Sequence, residues 1–281
     1  MKRNKSFTNN PFYLIATPIG NLSEFTPRAI EVLNGVDFIC VEDTRTSGLL
    51  LSHFQISKPL ISVHKFNEVS KIELIINKLK AGEKGAFLSD AGYPLISDPG
   101  SILVNALLKE DIAVSVVNGP SALLPALIGS GLNTSAFTFI GFINGSNKEM
   151  KDTLNKYKYY QDSLIIYEAP HRLAKTISLI YSVFANRKLV IARELTKLHE
   201  EYIYTTLEEF SNNPLLDLKG EIVLVIEGYK EEVTTLDNLL AKVELLINEK
   251  KMSAKEASSI ISVLFNYSKN ELYNAYLKRL K

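Results

Sequence analysis

Gly85-Ala86-Phe87-Leu88-Ser89-Asp90-Ala91-Gly92-Tyr93-Pro94-Leu95-Ile96-Ser97-Asp98-Pro99-Gly100 is the stretch that decides the fold. A short apolar run of strand length opens it. A polar loop with two glycines and two prolines follows, and a helical pattern continues it near 101–108. A strand leading through a loop into a helix is half of a βαβ unit. Proline fixes φ and glycine admits conformations closed to other residues, so this loop is held to an unusual path. It carries two carboxylates, Asp90 and Asp98, which a tight structural loop would not need. Gly92 would let a ligand approach the main chain. In open parallel sheets ligands sit beyond the carboxyl ends of strands, so binding is expected here.

The same rhythm extends in both directions. Apolar runs at 12–16, 36–41, 59–63, 85–88 and 113–117 read as strands. Thr26-Pro27 reads as the N-cap and first residue of a helix that ends before Gly35, and further helices are expected at about 44–53, 67–79 and 101–108. The alternation predicts a mainly parallel sheet with helices on its faces. The loops 17–22, 42–46, 89–100 and 118–121 then share one edge. The second half has more strands per helix: runs at 138–142, 164–167, 189–192, 202–205 and 222–227, with helices near 148–157 and 173–184. That proportion predicts a second α/β unit with antiparallel pairs. From about 231 the pattern is helical, with Ser253/Glu256 and Ser268/Glu271 spaced as capping boxes. The expected fold is α/β: a mainly parallel domain at 11–118, a mixed α/β domain at 119–230, and a small helical domain at 231–281. The helical segment reads equally as a packed appendix or as an RNA-contacting module.

The chain has 281 residues, 46% of them hydrophobic and 22% charged, with a net charge of +1. This excludes wholesale disorder and a strongly basic nucleic-acid binder. Any RNA contact must come from shape or from a local patch, such as the N-terminal arm with Lys2, Arg3 and Lys5. Cys40 is the single cysteine, so no intrachain disulfide forms; it reads as a buried small hydrophobe, and a cytoplasmic location fits. The four histidines show no zinc-ligand spacing, and no metal is expected. No apolar stretch approaches ~18 residues, so no membrane span is expected, and the first residues lack the apolar core of a signal peptide. The loop after the first strand is neither G-x-G-x-x-G nor a P-loop, which disfavours a nicotinamide-dependent oxidoreductase and a P-loop NTPase.

Other polar clusters also follow strands. Pro18 and Gly20 suggest a stiff turn over a ligand. Gly119-Pro120 makes a turn after which Ser121 can cap a helix. Glu42–Thr46, Tyr167–Arg172 and Arg193–Glu201 mix acids with Arg, Lys or His at short spacing.

Seven motifs, in one order, resemble the tetrapyrrole methylase superfamily: ATPIGNL (16–22), EDTRTS (42–47), SDAGYPLISDPG (89–100), GPSAL (119–123), YEAPHR (167–172), RELTKLHEE (193–201) and GEIVLVIEG (220–228). Within it they resemble the branch that methylates ribosomal RNA of the small subunit. The resemblance covers about 11–228, and the C-terminal helices resemble that branch's appended helical domain. Tyr93 stands where the family usually has threonine, Asn118 where proline is common, and Ile-Asn-Gly follows Gly141-Phe142 in place of Leu-Pro.

The resemblance implies two α/β domains enclosing S-adenosylmethionine, with contacts from Pro18, Asp90, Gly92, Tyr93, Ser121, Ala122, Tyr167 and Leu195. It implies a homodimer, a partner in the 16S rRNA of the small ribosomal subunit, and methylation of a cytidine ribose 2′-hydroxyl in the decoding region. A ribose hydroxyl is a weak acid, so a base or an alkoxide-stabilising cation is expected among Asp43, Arg45, Glu168 and Lys197. Two alternatives remain at this point: a precorrin-type C-methyltransferase, and a non-catalytic RNA-binding assembly module.

Overall fold

In a computed structural model, which describes residues 10–230 and 235–279, the chain forms two compact units, one ending at Tyr229 and the other starting at Lys230. The basic residues Lys2, Arg3 and Lys5 lie outside the described residues.

The first unit holds two five-stranded sheets. Strands β1 (Phe12–Ile15), β2 (Phe38–Val41), β3 (Leu60–Ser62), β4 (Gly85–Leu88) and β5 (Val114–Val117) pair in parallel, in the order β3-β2-β4-β1-β5. Side chains alternate between the faces of a strand. Tyr13, Ile15, Ile39 and Val41 therefore pack on one face with helix α1 (Pro27–Gly35) and Leu51 of α2 (Thr44–His53). Phe12, Leu14, Phe38, Cys40 and Phe87 pack on the other, with α3 (Glu68–Lys80) and α4 (Ser101–Lys109). Burial on both faces explains why these strands read as unbroken apolar runs. It also drives the Cys40 thiol's pKa upward.

The helices start where the sequence says. The Thr26 hydroxyl accepts from Ala29 N–H at 3.2 Å with Pro27 following, and the Asp43 carboxylate accepts from Arg45 N–H at 2.8 Å. Gly35, expected just past the end of α1, is its last residue. Buried Glu68 reaches across to accept from Leu103 N–H at 2.8 Å, satisfying a free amide in the first turn of α4. Ile15, Leu88 and Val117 stand level across the sheet, and Val41 is level with Leu88. The loops after β1, β2, β4 and β5 thus leave from one line.

In the second sheet β6 (Phe137–Phe142), β7 (Ser163–Glu168), β8 (Lys188–Arg193), β9 (Glu201–Thr206) and β10 (Ile222–Ile226) run in the order β6-β7-β10-β8-β9. Only the β6–β7 pair is parallel. One face packs on α6 (Asn147–Asn155), α7 (Leu173–Phe184) and α8 (Leu207–Asn212). The other packs on α5 (Leu123–Gly129) and takes Ile19 from the β1 loop, which seals the two sheets together. Helix α8 was not expected, and α5 was expected only as a helix that Ser121 would cap, without bounds. Ser121 does not cap α5: Ala122 holds that position, with no side-chain cap. Both faces of the first sheet and the α6–α8 face of the second each carry a core of their own.

The second unit is α9 (Leu236–Lys250), α10 (Ala254–Leu264) and α11 (Lys269–Arg279), closed around Leu239, Leu240, Val243, Ala257, Ile261, Leu272 and Tyr276. The Ser253–Glu256 capping box is formed in both directions. Among the described residues no helix is long and apolar enough to cross a membrane.

Candidate active site

The loop after β4 is fastened to the loop after β1. Thr17 N–H donates to Gly92 C=O at 2.9 Å, and Gly92 N–H returns the bond to Thr17 C=O at 3.1 Å. The Ser89 hydroxyl also donates to Gly92 C=O, at 2.9 Å. Gly92 has φ +73°, which L side chains rarely adopt, so the residue type is set by the bridge. Leu95 and Ser97 take φ +72° and +69° without that freedom, a backbone cost of about 1–3 kcal/mol each. Strain of this kind concentrates at binding sites. Here it accompanies a loop that presents Ile96, Ser97 and Asp98 to a cavity.

That cavity, of about 730 Å³, lies between the two sheets. The first sheet contributes Glu42, the Asp90–Tyr93 segment and Asp98; the GPSAL turn contributes Ser121, Ala122 and Leu123; the second sheet contributes Phe142, Tyr167, Glu168, and the Gly220–Val223 segment. Among the described residues no lysine or arginine lines it, yet Glu42, Asp90 and Asp98 do. Burial and the neighbouring charges of Glu42 and Asp90 push the Asp98 carboxyl up to about 6. Glu42 is raised by burial and by Asp90, with partial relief from His64. Asp90 is raised by burial, although the Asp43 N–H donates to it. The first-sheet side is therefore an uncompensated negative site.

The opposite wall is aromatic and apolar. Tyr167 meets Phe139 and Phe142 edge-on, with ring centroids 4.8 and 5.6 Å apart. Leu123 N–H donates to the Tyr167 hydroxyl, whose pKa is pushed up to about 12 by burial and by Asp98. Glu168 is on this wall, but its carboxylate is fully buried and engaged. It accepts from the Thr176 hydroxyl at 2.5 Å and from Ala169 N–H at 2.8 Å, and pairs with Arg172 at 3.3 Å.

Tyr93 and Asn118, two of the departures noted in the sequence, touch each other. The Tyr93 hydroxyl donates to Asn118 Oδ1 and accepts from Gly119 N–H at 3.1 Å. Together they tie the Asp-Gly-Tyr loop to the GPSAL turn.

Of the residues expected to hold a cofactor, Asp90, Gly92, Tyr93, Ser121, Ala122 and Tyr167 converge on this cavity. Pro18 lines a smaller adjoining cleft of about 350 Å³, which shares Asp90 with the cavity. Leu195 is buried in the core with Ile19, Val190 and Val223. Of the residues expected to do proton chemistry, only Glu168 lines the cavity. Asp43 and Arg45 pair with each other at 2.7 Å, and this holds the Asp43 carboxyl down at about 2. Lys197 lies between Glu194 at 3.0 Å and Glu221 at 3.1 Å. Burial alone would lower its pKa; the two hydrogen bonds outweigh this and raise it. Sequence reading missed Glu42, Asp98 and the Gly220–Val223 wall as site residues. For Asp98 the signal was present, as the second carboxylate of the loop.

A family model for tetrapyrrole (corrin/porphyrin) methylases matches residues 11–211. The chain belongs to the tetrapyrrole methylase family. Like its family, it is a methyltransferase whose methyl donor is S-adenosylmethionine. This methylase is 39% identical over 277 aligned positions to "Ribosomal RNA small subunit methyltransferase I" of Haemophilus influenzae, covering 96% of this chain and 97% of that one. The protein of the same name in Bacillus subtilis is 40% identical, covering 98% of each. Among solved structures, the fold is similar to that of uroporphyrin-III C-methyltransferase from Thermus thermophilus, with TM-score 0.55 and 18% identity, covering 77% of this chain and 93% of that one. It is also similar to a cobalt precorrin-4 methyltransferase, with TM-score 0.55 and 13% identity, covering 77% and 94%.

The residues present in this methylase fit the cofactor. S-adenosylmethionine carries a sulfonium, an ammonium and one carboxylate, a net positive charge, joined to a flat apolar base. A cavity with several carboxylates, no lysine or arginine lining it among the described residues, and one aromatic wall matches that distribution.

Proposed function

We propose that this methyltransferase acts on the ribose 2′-hydroxyl of a cytidine in the decoding region of 16S rRNA, as a homodimer in the cytoplasm with the small ribosomal subunit as its partner. The similarity to small-subunit rRNA methyltransferases extends along nearly the whole chain at about 40% identity. Likeness to tetrapyrrole enzymes is one of fold.

The observation that carries the chemistry is the negative cavity at the sheet edge. When bound, the cofactor supplies an electrophilic methyl group that needs no further activation. The chain must attract it, orient it and handle one proton. Glu42, Asp90 and Asp98 would favour its cationic groups, and Tyr167 with its neighbours would pack its adenosine. Asp98, with its carboxyl near 6, is ionised at neutral pH and basic enough to accept a proton. We assign Glu168 to holding β7 against α7, since its carboxylate is fully engaged there. Arg45, with 89% of its side chain exposed, suits contact with RNA phosphate. Lys197 joins the β1 loop to the second sheet, and Asp43 caps α2.

The test is to map 2′-O-methylation on small-subunit RNA from cells lacking the gene, and to supply purified enzyme with tritiated cofactor. A missing mark at a cytidine that the enzyme restores is the expected result. Methyl transfer to a precorrin in place of RNA would overturn the proposal.

A further inference from the structure

The smaller cleft has no role in the function proposed so far. One face of α2 forms a wall: Thr46, Leu49, Leu50 and His53 recur at helical spacing. The β1 loop forms the opposite wall with Pro18 and Leu22, and Asp90 is common to this cleft and the cofactor cavity. Three observations set it apart from a packing seam. Leu49 and Leu22 are 76% and 43% exposed and belong to neither core of the first sheet. The Ser47 hydroxyl, on a residue that also lines the cleft, is buried without a hydrogen-bond partner, which is costly unless something answers it. Finally, among the described residues no lysine or arginine lines the cleft and Asp90 is its single carboxylate, so it suits a flat uncharged group, where the cavity suits a cation.

Methyl transfer requires the accepting oxygen within about 3–3.5 Å of the methyl group, so the acceptor's site must adjoin the donor's. A nucleotide inside a structured RNA must leave its stack to be reached, and an unstacked base is held between apolar walls. We infer that this cleft receives the unstacked pyrimidine base of the target RNA nucleotide, with Asp90 as the partition between acceptor and donor. Arg45, which precedes Thr46 at the start of α2, then lies on the side of a flanking phosphate. The inference rests on the rRNA methylation proposed above.

The experiment uses the full-length enzyme and small subunits purified from cells lacking the gene. Leu49→Trp fills the cleft from an exposed position, and Leu49→Met is its conservative control. Leu49→Trp is expected to lower kcat/KM for RNA methylation about a hundredfold, with cofactor affinity by calorimetry within about twofold of wild type, while Leu49→Met stays near wild type. A photoreactive thiopyrimidine at the target position of an RNA fragment is expected to crosslink wild-type enzyme within residues 44–53. Normal methylation by a folded Leu49→Trp enzyme, or a crosslink mapping elsewhere, would overturn the inference and leave the methyltransferase function intact. Should Leu49→Trp fail to fold, the wild-type crosslink decides alone. Failure of the wild-type enzyme to methylate the subunits at all would remove both proposals together.

Discussion

Carboxylates at the edge of the first sheet and those at the edge of the second are treated in opposite ways. Glu168, Glu194 and Glu221 are each paired, with Arg172 or with Lys197. Their charge is answered inside the protein, and they hold elements together. Glu42, Asp90 and Asp98 pair with no lysine or arginine among the described residues, and all three carboxyls are pushed above the usual range. Leaving charges uncompensated costs folding energy. The arrangement makes sense where a ligand will bring the missing positive charge. One wall of the site is thus structural and the other is reserved for the methyl donor.

The largest expected effect breaks the structural wall. Arg172→Ala leaves the buried Glu168 carboxylate without its ion pair and should cost about 3 kcal/mol of stability, measured by urea unfolding. A loss below about 1 kcal/mol would show the two sets of carboxylates to be alike.

Next comes the reserved wall. Asp98→Asn or Glu42→Gln should weaken S-adenosylmethionine about tenfold, while the demethylated thioether, which has lost the sulfonium charge, weakens much less. Calorimetry with both ligands measures the ratio, and equal losses would refute the charge argument. Protonated Asp98 cannot attract a cation, so wild-type affinity for the methyl donor should rise as pH passes upward through about 6. Asp98→Asn should flatten that profile.

A smaller effect belongs to the tie between the two cofactor loops. Tyr93→Phe strips Asn118 Oδ1 and Gly119 N–H of their partner and should cost about 1 kcal/mol. Adding Asn118→Ala should cost less than the two single changes summed, as a double-mutant cycle would reveal.

The smallest effect has the opposite sign. Asp98 has a raised folded pKa, so its favourable contribution is full below its ordinary value of 3.8 and is lost as pH rises through about 6. Asp98→Asn should therefore stabilise the ligand-free protein at pH 8 by under about 1 kcal/mol after solvent screening, roughly 2 °C in Tm. The gain should vanish below about pH 4. Destabilisation at pH 8 would mean that Asp98 has an internal partner.

The sequence was most legible where one physical rule acted alone. Gly85–Leu88 and Thr44–His53 match the expected bounds, because an apolar run marked the first and a polar-to-apolar helical pattern the second. The extent of α5 escaped because Pro125 interrupts a short apolar run, and α8 escaped altogether because six residues carry too little periodicity. The site was legible on the first sheet, where parallel strands deliver every following loop to one edge. It was less so on the second. There β8 and β10 are antiparallel, with Arg193 opposite Ile222, so the wall comes from the start of β10. Leu195, read as a loop residue beyond β8, instead turns into the core between Glu194 and Thr196, both at positive φ. Pairing direction depends on contacts distant in sequence, which local pattern does not encode.

Gly20 fits one lysine. A Cβ at this position would come within 2.4 Å of Lys197 Cγ, so the missing side chain is a notch in which the lysine stem lies as a crossbar. Gly20→Ala would lift that bar out of its slot and unbolt the ammonium from Glu221. The two halves of the molecule are in that sense keyed to each other by the absence of a single methyl group.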